Sequence, residues 1–255
     1  MVGSDTAFQE YLTAAVTPPR QMKLAVIVAA ELADDIFARG LVAGDALPNE
    51  AEMLQQLNVS RGTLREALRV LETQGVITMR TGRGGGPEVA RPNPRALAET
   101  LTINFRALDV SLEEVLFTRD TIEPALAHHA ALNRTEEDLV RLRACADAVA
   151  DASWDAPQIL QLNREFHTAV ALASHNRPLA VLWSAISTVA DSQGADEEQW
   201  AAGKAAHERI VAAIVKQDGR AAERAMAKHV STYHSDVASA HPTLLSAPVR
   251  TRRGQ

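Results

Sequence analysis

The sequence predicts a mainly α-helical protein in which a small winged helix-turn-helix unit precedes an all-helical bundle. Residues 47–89 are typical of a short helix, a tight turn, a second helix and a glycine-tipped hairpin, in that order. From residue 95 to about residue 240, Ala, Leu, Glu and Arg dominate and strand-forming residues are few, which favours helices. A chain of 255 residues with 46% hydrophobic content can bury the cores of two such units.

Four regions are expected along the chain: an N-terminal tail over 1–19, the winged unit over 20–92, an all-helical domain over 93–240 and a disordered basic tail over 241–255. A short helix around residues 8–15 is expected in the first tail. Two prolines within residues 91–94 mark a linker, because proline and the residue before it both disfavour helix. The helical domain should hold six or seven helices, with breaks near residues 107–111, 133–135, 153–155, 174–178, 192–196 and 217–219.

The first helix of residues 47–89 has clear start and end signals. Pro48 and Asn49 suit its beginning, because proline favours the first helical positions and asparagine caps exposed amides. Asn58 can adopt the left-handed conformation that ends a helix, and Ser60 is a good N-cap for the next one. The apolar face between them consists of Met53, Leu54 and Leu57.

The second helix carries an apolar stripe and a basic stripe. The apolar stripe consists of Leu64, Ala67, Leu68 and Leu71. The basic stripe consists of Arg61, Arg65 and Arg69, spaced four apart. Because arginine can grip phosphates or pair with guanine, such a helix can pack on its own domain and still enter a major groove. A solvated amphipathic helix would look the same, so the arginine row alone leaves both interpretations open.

The residues after this helix favour DNA binding. Residues 76–79 are strand-like, residues 81–86 form a flexible basic turn, and residues 88–90 can return as a partner strand. A phosphate-binding P-loop is the rival explanation of the glycines. It needs Lys-Ser/Thr after the last glycine, where this chain has Pro87-Glu88. The segment therefore predicts a winged helix-turn-helix that binds double-stranded DNA.

From roughly Arg20 to Pro92, the chain resembles the N-terminal domain of the GntR family of bacterial transcription regulators. The similarity lies in the segments LPNE, VSRGTLREAL and GRGGG. The resemblance implies groove contacts by Ser60, Arg61, Thr63 and Arg65, a phosphate contact by Arg69, and a wing tip at Thr81, Gly82 and Arg83. Ala51 is a departure, because the family often has arginine there, so one contact is missing or is supplied by another residue.

Four residues of the helical region are spaced as metal ligands could be. Asn163 and His167 project from one helix face, and His207 and His229 fall on two later helices. An oxygen ligand and three imidazoles suit a divalent metal such as zinc, nickel or manganese. Ordinary buried or exposed histidines would give the same spacing, so the pattern alone is a weak indication.

The helical region also resembles the FCD ligand-binding domain found in the FadR-like branch of this family. The similar segments are RDTIEP at 119–124, NREFH at 163–167 and the stretch 207–229. Many members bind a metal through one Asp and three His, which here implies the ligands Asn163, His167, His207 and His229. Because Asn163 replaces the Asp, it keeps a carbonyl oxygen but removes a charge, and the affinity and metal preference should differ.

Arg119 is the candidate for effector binding. The family's effectors are commonly small organic acids, and either a metal with open positions or a buried arginine can hold a carboxylate. The alternative is an exposed ion pair between Arg119 and Glu123, one turn away, which would stabilise the helix by only a few tenths of a kcal/mol, roughly.

Composition narrows the class of protein. With a net charge of −6, DNA affinity must come from a local basic patch and should fall steeply with salt. A single cysteine, Cys145, excludes an internal disulfide and a cysteine-rich zinc site, and fits a reducing cytoplasm. The longest apolar run, residues 24–30, is too short to span a bilayer, and no signal peptide is recognisable. We therefore expect a cytoplasmic protein with no membrane partner.

These features predict a homodimeric, ligand-responsive repressor of a metabolic operon and not an enzyme. A twofold dimer would place two winged units on a pseudo-palindromic operator, and a small carboxylate in the helical domain would weaken DNA binding. A regulator that senses the metal itself is one alternative. A metalloenzyme with a DNA-binding head is another, although the Glu-x-x-His pairs of di-iron bundles do not occur in this sequence.

Overall fold

The computed structural model describes residues 2–16, 23–82, 85–151, 156–191 and 201–250. The chain forms two compact units, residues 1–97 and 98–255. The division between them falls five residues beyond the boundary predicted after Pro92. The mainly α-helical fold class is confirmed, because the described residues form twelve helices and two short strands.

The helices are α1 (Val2–Val16), α2 (Leu24–Ala38), α3 (Glu50–Leu57), α4 (Arg61–Thr73), α5 (Pro94–Ala107), α6 (Leu112–Asn133), α7 (Glu136–Asp151), α8 (Ala156–Ala173), α9 (Arg177–Asp191), α10 (Ala201–Val215), α11 (Gly219–Ala240) and α12 (Pro242–Leu245). The strands are β1 (Ile77–Met79) and β2 (Pro87–Val89). Four of the six predicted breaks coincide with helix ends. The breaks at 153–155 and 192–196 lie outside the described residues.

Helices α2, α3 and α4 form the core of the first unit. A capping box starts α3, where the Asn49 side chain accepts from the Glu52 amide and Glu52 accepts from the Asn49 amide. Asn58 ends α3 in the left-handed conformation, with φ of 51°. These local signals set the angle at which α4 packs its apolar stripe on α2. The shared core includes Val28, Ile36, Met53, Leu64 and Leu71.

The hairpin after α4 is a small antiparallel sheet. Ile77 pairs with Val89 and Met79 pairs with Pro87, so the two ends of the hairpin are in register. Residues 44–47 run along the other side of β2, where the Leu47 amide donates to the Pro87 carbonyl at 2.9 Å. Both edges of β2 are therefore hydrogen-bonded, which fixes the base of the wing.

Helix α6 lies at the centre of the second unit and packs against α8, α9, α10 and α11. A capping box between Ser111 and Glu114 starts it. The surrounding core contains fully buried side chains from four further helices, namely Leu142, Phe166, Ile210, Ile214 and Met226. No described helix combines the length and the hydrophobicity needed to cross a bilayer.

Two expectations at the chain ends need correction. The first helix spans Val2–Val16 and is longer than the predicted 8–15. The disordered tail predicted over 241–255 is wrong for residues 242–250, which form α12 and a following extended segment. The segment is rich in basic and polar residues, but two of its apolar residues, Leu245 and Val249, are buried and hold it in place. Residues 251–255 lie outside the described part of the chain.

Candidate DNA-binding surface and metal centre

The DNA-binding candidates on α4 begin at its N-terminus. Ser60 is the N-cap, because its Oγ accepts a hydrogen bond from the Thr63 amide at 3.1 Å. The two hydroxyl oxygens of Ser60 and Thr63 also lie 2.8 Å apart. Arg61 and Arg65 follow on the exposed side of the helix. Ser60, Arg61, Thr63 and Arg65 therefore cluster at the end of α4 that reads base edges in helix-turn-helix proteins.

The arginine row of α4 is exposed, and weak ion pairs hold two of its members. Arg65 Nε lies 3.4 Å from Glu50 Oε1 at the start of α3, and Arg69 Nη1 lies 3.6 Å from Glu66 Oε2. Exposed pairs of this kind contribute little to stability, so a phosphate can displace either carboxylate. The position of Glu50 beside Arg65 could not be predicted from the sequence, because it depends on how α3 folds against α4.

The wing is a tight turn that requires glycine at two positions. Gly82 has φ of 106°, and the Gly85 amide donates to its carbonyl at 2.9 Å. A Cβ on Gly85 would overlap the carbonyl oxygen of Arg80. Thr81 and Gly82 are exposed at the turn, whereas Arg83 lies outside the described residues. The exposed Arg80, 3.5 Å from Glu88, adds a cation that the sequence interpretation did not select.

Three of the four predicted metal ligands come together in the second unit. The Nε2 atoms of His207 and His229 lie 3.2 Å apart, as do those of His229 and His167. The three nitrogens belong to α8, α10 and α11, and all ligand atoms lie within 4.8 Å of one another. His167 and His207 are buried, and His229 is partly buried. Asn163 is partly buried one turn before His167 on α8.

The environments of His207 and His229 favour neutral imidazoles. Burial, with His167 nearby, lowers the pKa of His207 far below its usual range. The same causes lower the pKa of His229 to about 3. A neutral imidazole has one nitrogen with a free lone pair, which is the form that binds a metal. Near neutral pH, His207 and His229 therefore offer nitrogen ligands and not cations.

The geometry of the triad fits a metal ion. Ligand nitrogens about 2.0–2.1 Å from a tetrahedral zinc are separated by about 3.3 Å, close to the 3.2 Å between His229 Nε2 and the Nε2 atoms of His167 and His207. His167 Nδ1 lies 2.5 Å from Glu123 Oε2 on α6. A proton on Nδ1, facing this carboxylate, leaves the Nε2 lone pair directed at the other two histidines. Carboxylate–histidine pairs of this kind orient metal ligands in many proteins.

Glu123 also contacts Arg119, and both side chains are buried. Arg119 Nε donates to Glu123 Oε1 at 2.8 Å, and the two side chains are 12% and 2% exposed. Burial opposes both charges. The attraction of Arg119 and His167 nevertheless holds the pKa of Glu123 well below its usual range. The ion pair between Arg119 and Glu123, which was the alternative expected for Arg119, is thus present. It is buried and not exposed, and its carboxylate also contacts the candidate ligand His167.

Two further polar residues face Arg119 from other helices. The guanidinium carbon of Arg119 lies 5.7 Å from the centre of the Tyr233 ring on α11. Asp191, at the end of α9, interacts electrostatically with Arg119 and lies 3.4 Å from Arg164 Nη1. Burial raises the pKa of both the Asp191 carboxyl and the Tyr233 hydroxyl. The sequence interpretation selected neither residue, because only tertiary packing brings them to Arg119.

A surface cleft of about 400 Å³ lies elsewhere in the second unit. Its lining includes His129, Asn133, His175 and Arg177. His175 Nε2 lies 2.8 Å from Asp138 Oδ2, so one wall of the cleft is held by the N-terminal turn of α7. None of the predicted metal or effector residues lines this cleft, and the candidate site remains the buried triad with Arg119 and Glu123.

Known protein families match both units of the chain. The family model described as bacterial regulatory proteins, gntR family, matches residues 24–85, and the FCD domain model matches residues 114–232. The first match covers the proposed DNA-binding residues, and the second covers the histidine triad, Asn163 and Arg119.

Curated relatives align over most of the chain. The Exu regulon transcriptional regulator of Escherichia coli K12 is 29% identical over 84% of this chain and 84% of its own length. The Uxu operon transcriptional regulator of the same strain is 30% identical over 80% and 82%. A third protein of that strain, named for the L-lactate dehydrogenase operon, is 30% identical over 80% and 84%. A solved GntR structure from Streptococcus agalactiae has a TM-score of 0.70 at 26% identity, covering 83% of this chain and 99% of its own.

Proposed function

The chain belongs to the gntR family of bacterial regulatory proteins, and we propose that it represses a metabolic operon until a small carboxylate binds its FCD domain. It is a ligand-responsive, DNA-binding transcription regulator and not an enzyme, since its family and its relatives are regulators. The observation that carries the proposal is the convergence of three imidazoles beside the buried Arg119, in a chain whose first unit exposes a row of arginines.

In this proposal, the N-terminal end of α4 reads the major groove. Arg61 and Arg65 contact bases or phosphates, and Arg69 contacts the backbone. Ser60 and Thr63 add hydroxyl contacts beside them. The wing supplies Thr81, Gly82 and Arg83 to the minor groove. The support is the exposure of Arg61, Arg65 and Arg69 on a helix whose apolar stripe is buried, together with the family match.

Arg65→Ala tests the DNA surface on an operator selected from random DNA by the wild-type protein. We expect affinity to fall by about 5- to 150-fold and the salt slope to decrease by about one, because one cationic contact is lost. Arg39→Ala is the matched control, since Arg39 is an exposed arginine paired with Asp35 at the end of α2. An Arg65 variant with unchanged affinity and slope would reject the assignment.

We propose that the regulator acts as a homodimer. Two winged units related by a twofold axis would bind the two halves of a pseudo-palindromic operator. Sedimentation of the protein alone and on its selected operator measures the stoichiometry. Two chains per operator are expected, and a single chain on a non-symmetric site would contradict the dimer.

A divalent metal, with zinc, nickel and manganese as candidates, would be held by His167, His207 and His229. Asn163 would contribute its carbonyl oxygen as a fourth ligand. Glu123 would hold His167 in the tautomer that presents Nε2, and the burial of His167 and His207 would shield their nitrogens from water. The ion would supply positive charge and open coordination positions for an effector carboxylate.

Arg119 would provide the second contact with the effector. Its Nε is committed to Glu123, and the rest of the guanidinium fork can meet a carboxylate on the same side as Tyr233. One relative is named for the L-lactate dehydrogenase operon, so L-lactate is a suitable first probe, and propionate, which lacks the hydroxyl, is its matched comparison.

Elemental analysis of protein purified without an affinity tag tests the metal, and a thermal-shift screen with and without zinc tests the acid. Saturation at about 100 times Kd should stabilise the protein by about 2.7 kcal/mol, which corresponds to several degrees. A protein that is metal-free and ignores added zinc and nickel would reject the metal centre. If zinc alone changed operator binding and no acid had an effect, the alternative of a metal sensor would replace the carboxylate response.

A further inference from the structure

The chain after α11 returns to the beginning of α6. Residues 241–250, here called the C-terminal strap, contain α12 and an extended end. Pro248 pairs with Ser111 in an isolated antiparallel bridge, and the Val249 amide donates to the Val110 carbonyl at 2.9 Å. The Leu112 amide donates to the Ala247 carbonyl at 3.2 Å. The strap is therefore joined to residues 108–112, here called the α5–α6 corner.

The strap supplies a hydrogen-bond acceptor for a backbone amide of the corner. Leu112 is the first residue of α6, and the amides of a first helical turn have no partner within their own helix. Ala247 accepts from this amide, while the Ser111 side chain caps the amide of Glu114. Leu245 and Val249 anchor the strap, since both side chains are buried. Backbone bonds and apolar burial thus hold the same contact.

The corner and the strap connect functional parts of the chain. The corner ends α5, the helix through which the chain passes from the DNA-binding unit into the helical unit, with Asp109 in the left-handed conformation at the turn. It also begins α6, which carries Arg119 and Glu123. The strap continues from α11, which carries His229 and Tyr233. Both segments lie outside the residues matched by the two family models.

We infer that the C-terminal strap couples the metal and effector site to the helix that leads to the DNA-binding unit. A shift of α11 on binding at His229 would be transmitted through the strap to the α5–α6 corner, because the hydrogen bonds of Val110 and Leu112 join the two. The inference rests on the proposed metal site. It predicts that metal binding changes the α5–α6 corner only while the C-terminal strap is in contact with it.

The test is hydrogen–deuterium exchange of the full chain with and without zinc, comparing wild type, Val249→Asp and Thr243→Asp. Val249→Asp places a charge at a buried anchor, whereas Thr243→Asp adds the same charge at an exposed position of the strap. In metal-free protein, Val249→Asp should speed exchange over residues 108–116 by about five- to tenfold, the effect of one lost backbone hydrogen bond. The milder Val249→Ala serves if the Asp variant unfolds.

Zinc should slow exchange in α10, α11 and the corner of wild type and of Thr243→Asp. In the Val249 variants, it should slow exchange in α10 and α11 alone. A zinc response in wild type that stops at α11, or a corner response that survives in the Val249 variants, would overturn the coupling and leave the metal site intact. Wild type with no response anywhere would reject the metal site and the coupling with it.

Discussion

Replacing Glu123 with Gln separates the two roles that the structure gives this carboxylate. Glu123 neutralises the buried Arg119 and faces Nδ1 of the ligand His167. Glutamine has nearly the same shape, and its amide oxygen can still accept from Arg119 Nε. The substitution therefore removes the charge while it keeps the packing.

Two magnitudes follow for Glu123→Gln. Removing one charge of a buried ion pair costs about 3–5 kcal/mol, and the retained hydrogen bond places this variant near the lower end, at about 3 kcal/mol. Loss of a carboxylate that orients a metal ligand lowers metal affinity by about 10- to 100-fold. At saturating zinc the stability deficit should consequently grow by about 1.4–2.8 kcal/mol relative to the metal-free protein.

Urea unfolding at neutral pH, in chelator and in a fixed excess of zinc, measures both quantities. Glu113→Gln is the matched control, because Glu113 is exposed in the first turn of the same helix. That control should change stability by no more than about 0.5 kcal/mol and leave the zinc effect intact.

One result would refute the reasoning about Glu123. A Gln variant that equals Glu113→Gln in both stability and zinc gain would show that the buried pair is inert and that His167 needs no carboxylate. A deficit in chelator with an unchanged zinc gain would retain the ion pair and remove the metal-orienting role.

Three further predictions concern other parts of the chain. Asn163→Asp should tighten zinc binding by about tenfold or more in chelator competition, since it adds a ligand charge, and unchanged affinity would remove residue 163 from the ligand set. The folded-state pKa of Asp138 is lowered, because its capping bonds to Thr135 and its contact with His175 outweigh burial. Its stabilisation is therefore present above the unfolded pKa of about 3.9 and is lost as pH falls through the folded pKa. Asp138→Asn should cost about 1 kcal/mol in urea unfolding at pH 7, and a deficit that did not shrink as the pH falls below about 3.9 would contradict this origin. Gly85→Ala should weaken operator binding by about 5- to 50-fold through a distorted wing. Gly86→Ala, where a Cβ meets nothing within 4 Å, should bind normally.

Local signals were sufficient to predict the first unit. Asn49, Asn58 and Ser60 act within four residues of themselves, so the capping box, the left-handed turn and the start of α4 are readable from spacing alone. The apolar stripe of α4 is likewise a property of one helix. The contact between Arg65 and Glu50 was not predicted, because it depends on the angle between two helices.

The second unit was predictable only in part. Family resemblance selected the three histidines, and the structure brings them together. Glu123 was considered only as an exposed partner of Arg119, since its contact with His167 joins residues 44 positions apart and requires α6 to pack on α8. The strap was mistaken for a disordered tail, because its pairing with Val110 spans more than a hundred residues and leaves no local pattern.

The parallel stacking of Phe166 on His207 has a kinetic consequence. The two ring centres lie 3.8 Å apart at an interplanar angle of 17°, and His207 is fully buried. Because Phe166 covers one face of His207, an ion held there would exchange more slowly than an ion held by exposed histidines. Such an ion would persist through many cycles of effector arrival and departure. Rapid adjustment of transcription would then depend on the acid, with the metal as a long-lived part of its binding site.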